Sequence, residues 1–160
     1  MGPQAIFIAF RGRMLGRAIV HKRLFLRTLQ LYLEPEPGVE LGLEVWCEPD
    51  WQVVGRDGVI AGSGTIDFDT EAEDPDVLHR MVSRVTDVLK GCIVEDAAVD
   101  AQTFELEIQL SGGLAVRTFV SDPTEPDQWL IRDPSADIWL SGTPAGLQVE
   151  TSAERDDRRG

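Results

Sequence analysis

One short motif occurs twice in this chain, and much of the sequence around it repeats with it. Glu48-Pro49-Asp50-Trp51 returns as Glu125-Pro126-Asp127-Gln128-Trp129. Ser63-Gly64-Thr65 returns as Ser141-Gly142-Thr143, at the same offset of 78 that separates Trp51 from Trp129. Upstream, Leu15, Ile19 and Val20 correspond to Leu89, Ile93 and Val94 at an offset of 74, and Leu31 to Leu106 at 75. Small loop insertions produce a drift of this size, so the pattern predicts an internal duplication. The 160 residues then make one domain over 1–150 from two pseudo-repeats, about 14–65 and 88–143. Residues 151–160 are expected to be a disordered polar tail.

Residues near the start can be read as strands or as a helix, and the repeat favours strands. Residues 14–33 hold a basic amphipathic pattern, with Met14, Leu15, Ala18, Ile19, Phe25, Leu26 and Leu29 as one apolar face, and they contain no acid. A helix or a transit peptide would give the same signature. The second copy, however, runs through Phe104, Leu106, Ile108 and Leu110 in alternation, which is a strand pattern. By correspondence, Ile19 to Leu26 and Leu29, Leu31 and Leu33 are strands as well. Each half then continues as a meander. Val39, Leu41, Leu43 and Val45 alternate after the Pro35–Gly38 turn, and Leu114 to Val120 follow Ser111-Gly112-Gly113. Short strands follow at Trp51–Val54, Val59–Ile60, Trp129–Ile131 and Ile138–Leu140.

Between the halves lies one helix, about 75–90. Asp74 suits the N-cap, Pro75 the first helical position, and Gly91 the left-handed stop. Val77, Leu78, Met81, Val85, Val88 and Leu89 form an apolar stripe expected to lie on a sheet. Residues 1–13 hold the equivalent place in the first half without a helical pattern, so the symmetry is expected to be incomplete. The predicted fold class is α+β, mainly antiparallel β: two pseudo-repeated β-meanders with the linking helix packed on the sheet.

The twice-used Trp51 and Trp129 are expected to close the ends of a core, each indole N–H seeking an acceptor. Asp50 and Asp127 are expected to cap their loops, and Arg56-Asp57 and Arg132-Asp133 to be turn residues or local ion pairs. An asymmetric active site rarely needs the same residue twice. Enzyme signatures are largely missing. His21 and His79 stand apart from metal-ligand spacing, no Cys-x-x-Cys pair occurs, and Ala61 replaces the first glycine of a nucleophile elbow. No catalytic residue, metal or cofactor is therefore expected, and Cys47 and Cys92 are expected to be small core residues.

Charge gives the functional expectation. The formal net charge is −13, with +6 in residues 1–33 and −19 in the remainder. A body this acidic disfavours nucleic acid. No apolar run reaches the roughly 20 residues of a membrane span, so a cytoplasmic protein is expected. Asp67, Asp69, Glu71, Glu73, Asp74 and Asp76 form an acidic run free of bases. It is expected to be a solvated linker or a docking patch for a basic protein partner. The order of the acids does not match a calcium loop.

The alternation Leu106, Ile108, the turn at Gly113, Leu114 and Val116, and then Trp129, with Leu89 and Ile93 before them, resembles small bacterial β-meander domains. Some of those accompany toxin systems as immunity proteins. The resemblance implies a non-enzymatic binding or adaptor protein. Two alternatives stay open: a small enzyme or ligand-binding protein with a site between the halves, and a structural subunit, including a homo-oligomer, joined by exposed strand edges.

Overall fold

The fold is given by a computed structural model that describes residues 1–66, 74–124 and 126–159, the last without its side chain. The first half runs α1 (Pro3–Met14), β1 (Ile19–Phe25), β2 (Thr28–Leu33), β3 (Glu44–Cys47), β4 (Trp51–Gly55) and β5 (Gly58–Gly62). The second runs α2 (Pro75–Thr86), β6 (Val94–Val99), β7 (Leu106–Leu110), β8 (Leu114–Thr118), β9 (Trp129–Asp133), β10 (Ile138–Thr143), β11 (Gly146–Glu150) and α3 (Ser152–Arg159). The class is α+β with antiparallel sheets, as the alternation predicts.

The strands form two sheets, ordered β1-β2-β3-β9-β10-β11 and β5-β4-β8-β7-β6. Each sheet therefore mixes the halves: β9 and β10 extend β3, while β4 and β5 extend β8. The starts of β1 and β6 are also stitched together. Gly16 N–H donates to the Val94 carbonyl and Gly91 N–H to that of Ile19; Ile19 N–H donates to Cys92 and Val94 N–H to Arg17. Both glycines sit at positive φ, +80° and +83°, which side-chain-bearing residues rarely adopt. These relations concern strand order and bonding.

Helix α1 corrects the expectation for residues 1–13. Pro3 opens it, and Phe7, Phe10 and Met14 bury one side at helical spacing. Ile6 flanks that side, partly buried against the core, while Ile8 lies in solvent on another, and this masks the period. The helix packs against β6, β10 and β11, while α2 packs against β1 and β5. Thus the strands at the edges of both sheets, β1, β5, β6 and β11, each have a helix beside them. Arg11 ties α1 to β6 through the Ala97 carbonyl at 3.0 Å and the Asp96 carboxylate at 2.6 Å.

The core lies between the sheets. Trp51 and Trp129 are fully buried, and both indole N–H groups donate at 2.7 Å, to the carbonyls of Arg27 and Phe104. Phe7 meets Trp129 edge to face at 6.4 Å. Both cysteines are free thiols; Cys47 is buried and Cys92 half-buried.

Three further expectations change. The strand through Val39 and Leu41 starts only at Glu44, because Gly42 passes close against the Leu33 backbone and Leu41 lies in solvent. Strand β11 adds an edge that the motif spacing did not predict. The tail expected to be disordered over 151–160 forms α3 over Ser152–Arg159, with Arg155 buried. Its composition signals exposure, but ion pairs hold it down.

Candidate functional site

The acidic run is the starting point. Asp67, Asp69, Glu71 and Glu73 lie outside the described residues. Asp74 caps α2, its carboxylate accepting the Asp76 backbone N–H at 2.9 Å, and both acids are exposed at the helix N-terminus. Negative charge there is favoured by the helix dipole. Among the described residues no group of three or more His, Cys, Asp or Glu is placed to hold a metal ion.

Past Asp76, α2 does not sit as its apolar stripe predicts. The stripe faces sideways, rolled by roughly a quarter turn at 100° per residue. Val82, at 2% exposed, and Thr86 face the body, with Leu89 in the short turn that follows. Met81 is 47% exposed, and Val77, Val85 and Val88 stand out with it. Polar anchors explain the roll. The Lys22 ammonium, buried under the helix, donates to the Ser83 carbonyl at 2.6 Å and pairs with Asp87 at 2.8 Å. His79 Nε2 lies 3.1 Å from the Leu24 carbonyl, which only accepts, so Nε2 carries the proton. Satisfying a buried ammonium outweighs hiding a few methyl groups, since an unpaired buried charge costs several kcal/mol. The result is a solvent-facing row, Val77, Met81, Val85 and Val88, with Arg80 and Arg84 along one side and Asp74 and Asp76 at its head.

Comparison with known proteins adds no relative. No family model, curated protein or solved structure matches this chain. The geometry must carry the function alone.

A second surface lies on the outer face of the six-stranded sheet. Register places His21, Tyr32, Glu44, Arg132, Trp139 and Glu150 in one cross-strand row. Arg132 pairs with Glu44 at 3.2 Å and stacks on Trp139, while Trp46 meets Trp139 edge to face at 5.4 Å. Beside the row, a cleft of about 440 Å³ is lined by Tyr32, Leu41, Leu43, Glu44, Arg132 and Pro134 among others. Burial, and then the Glu44 carboxylate, push the Tyr32 phenol above its ordinary range.

The sequence missed the partners of Arg132 and its neighbours. Arg132 pairs across strands with Glu44 rather than locally, and Asp133 accepts from Arg13 at 2.7 Å. Asp127 is buried and paired with Arg155 and Arg158 of α3, both at 3.3 Å, partners that the loop-cap expectation did not include. The signal available beforehand was the unbalanced charge. Four of the six bases of residues 1–33 find acids elsewhere in the fold: Arg11 with Asp96, Arg13 with Glu36, Lys22 with Asp87 and Arg27 with Asp50. Among the described residues no helix is long and apolar enough to cross a membrane.

Proposed function

We propose that this chain is a non-catalytic, cytoplasmic binding protein of adaptor or immunity type that holds a protein partner on α2. One observation carries this reading: an amphipathic helix and the turn that follows it leave four of the six residues of their apolar stripe in solvent. Monomeric surfaces scatter apolar residues singly, whereas a row of four on one helix face favours a groove-binding or helix-binding contact. The partner segment is amphipathic, apolar toward Met81 and basic toward the head of α2. The charge supports this, with two exposed acids at the helix N-terminus and a net charge of −13 for the chain. The space between the sheets is filled by Trp51, Trp129, Met14 and their neighbours, which disfavours a ligand site there.

The test is capture from the native host at low and physiological salt, with cross-links mapped on both proteins. Met81→Asp should abolish capture, and salt should weaken it, since exposed charges are screened over about 8–10 Å. The cross-linked partner segment should be basic and apolar. Undiminished capture by Met81→Asp overturns the reading. So does a dimer of this chain that Met81→Asp dissolves, because a second copy would then be the occupant.

A further inference from the structure

The C-terminal helix sits on its sheet in an unusual way. Its sequence, Ser152-Ala153-Glu154-Arg155-Asp156-Asp157-Arg158-Arg159, holds no apolar side chain larger than alanine. Short helices normally persist by packing an apolar face. This one is held by guanidinium groups. Arg155, 4% exposed, lies 4.8 Å above the Trp139 ring and donates to Asp127. Arg158 bridges Asp127 and Glu150, reaching the latter at 2.8 and 2.9 Å. Ser152 accepts from the Trp139 indole and bonds Asp137. The surface beneath is therefore a guanidinium seat: an indole face for stacking and two buried carboxylates for charge-assisted bonds.

The same sheet face offers more than α3 uses. Gln128 is 3% exposed, and neither its amide oxygen nor its amide nitrogen has a hydrogen-bond partner. The Ser141 hydroxyl and the Trp46 indole N–H are buried and equally unpaired. Register places Trp46, Leu130 and Ser141 side by side on this face, and Gln128 lies just ahead of β9, its N–H donating to the Gly142 carbonyl. Buried groups of this kind are rarely left unsatisfied. A floor built only to hold α3 needs none of them.

We propose that this floor is a recognition site for an arginine-bearing peptide segment of a partner, and that α3 is its built-in occupant. Arginine is required rather than basic charge alone, because stacking on Trp139 while bonding Asp127 needs a flat, forked cation. The incoming segment also supplies backbone or side-chain groups to Gln128 and Ser141. The tether keeps α3 at a high effective concentration, so the intact chain is closed and opens only to a segment that binds better. The site is separate from the α2 surface and does not depend on it.

The experiment uses the full chain with Arg155→Gln and Arg158→Gln, titrated with a capped peptide of the α3 sequence. Indole N–H resonances of Trp139 and Trp46 report occupancy. Both should shift on titration, and a peptide with lysine for every arginine should bind at least about tenfold more weakly. The wild-type chain, already occupied, should bind the arginine peptide at least about tenfold more weakly than the double variant. Gln128→Leu in the double variant should leave the affinity for this peptide unchanged, because α3 makes no bond to the Gln128 amide. A folded double variant that shows no shift at millimolar peptide overturns the site, as does equal binding of the lysine peptide. Should the double variant fail to fold, hydrogen exchange in the wild-type chain decides. The α3 amides should exchange well before the β9 amides; exchange of both only through global unfolding overturns the proposal.

Discussion

Gly64 and Gly142 occupy the same place in the two Ser-Gly-Thr triplets, yet they meet different surroundings. A Cβ at position 142 would strike the Trp129 indole, while one at position 64 meets open space. Gly142→Ala should therefore cost about 1–3 kcal/mol through overpacking, and Gly64→Ala should stay within about 0.5 kcal/mol. Urea unfolding of the two variants measures the difference. Cys47 gives a second residue-scale outcome. Burial, aided by the nearby Glu48 carboxylate, pushes its thiol up to about 12. The reactive thiolate is thus scarce at neutral and mildly basic pH. A thiol reagent applied near pH 8 should leave Cys47 untouched in the folded protein and modify it once urea unfolds the chain.

At the scale of elements, the roll of α2 decides which substitutions hurt. Val82→Asp places a charge in the core and should cost several kcal/mol, about 3 or more. Met81→Asp, one residue away, should change stability by no more than about 0.5 kcal/mol. Thermal melts of the pair test the roll independently of any partner. The Lys22–Asp87 pair adds a pH dependence. The hydrogen bond from Lys22 holds the Asp87 carboxyl below the usual carboxylate range. A lowered folded value stabilises the fold above the ordinary carboxylate pKa, about 4, and that contribution is lost as pH falls through the lowered value. Asp87→Asn should flatten the acid limb of the stability profile, modestly, because Asp87 is half exposed. Most strands were legible in the sequence because alternation records one buried face; Leu106, Ile108 and Leu110 show it plainly. The N-cap of α2 was legible in Asp74-Pro75. The roll was not, because it depends on Lys22, which lies 61 residues from Ser83. Nor was α3, since an arginine's burial depends on carboxylates and an indole that only folding brings near. The four acids at 67–73 were legible as charge alone, and the α2 surface was legible only as a stripe whose direction the sequence does not state.

For the molecule as a whole, exchange of strands between the sheets is the dominant fact. Strands β4 and β5 lie beside β8, and β9 and β10 lie beside β3, so neither half has a complete sheet of its own. A chain ending within 67–73 should stay unfolded alone, as should the complementary fragment. Mixed, the two should give a dispersed amide spectrum, and unfolding of the intact chain should follow one transition by fluorescence and circular dichroism. A dispersed spectrum from either fragment alone would show that the exchange is not required for folding.

That exchange also imposes a timetable on synthesis. Strand β3 ends at Cys47, and its neighbour β9 begins only at Trp129. At about 5–20 residues per second, the β3 edge waits on the order of ten seconds for its partner strand to be made. Throughout that interval the nascent chain carries an open sheet edge and an uncovered apolar face, with Trp51 among the residues not yet enclosed. The ribosome-bound first half is thus a natural client for whatever holds unfolded chains apart, and slowing translation beyond Thr65 should raise aggregation rather than relieve it.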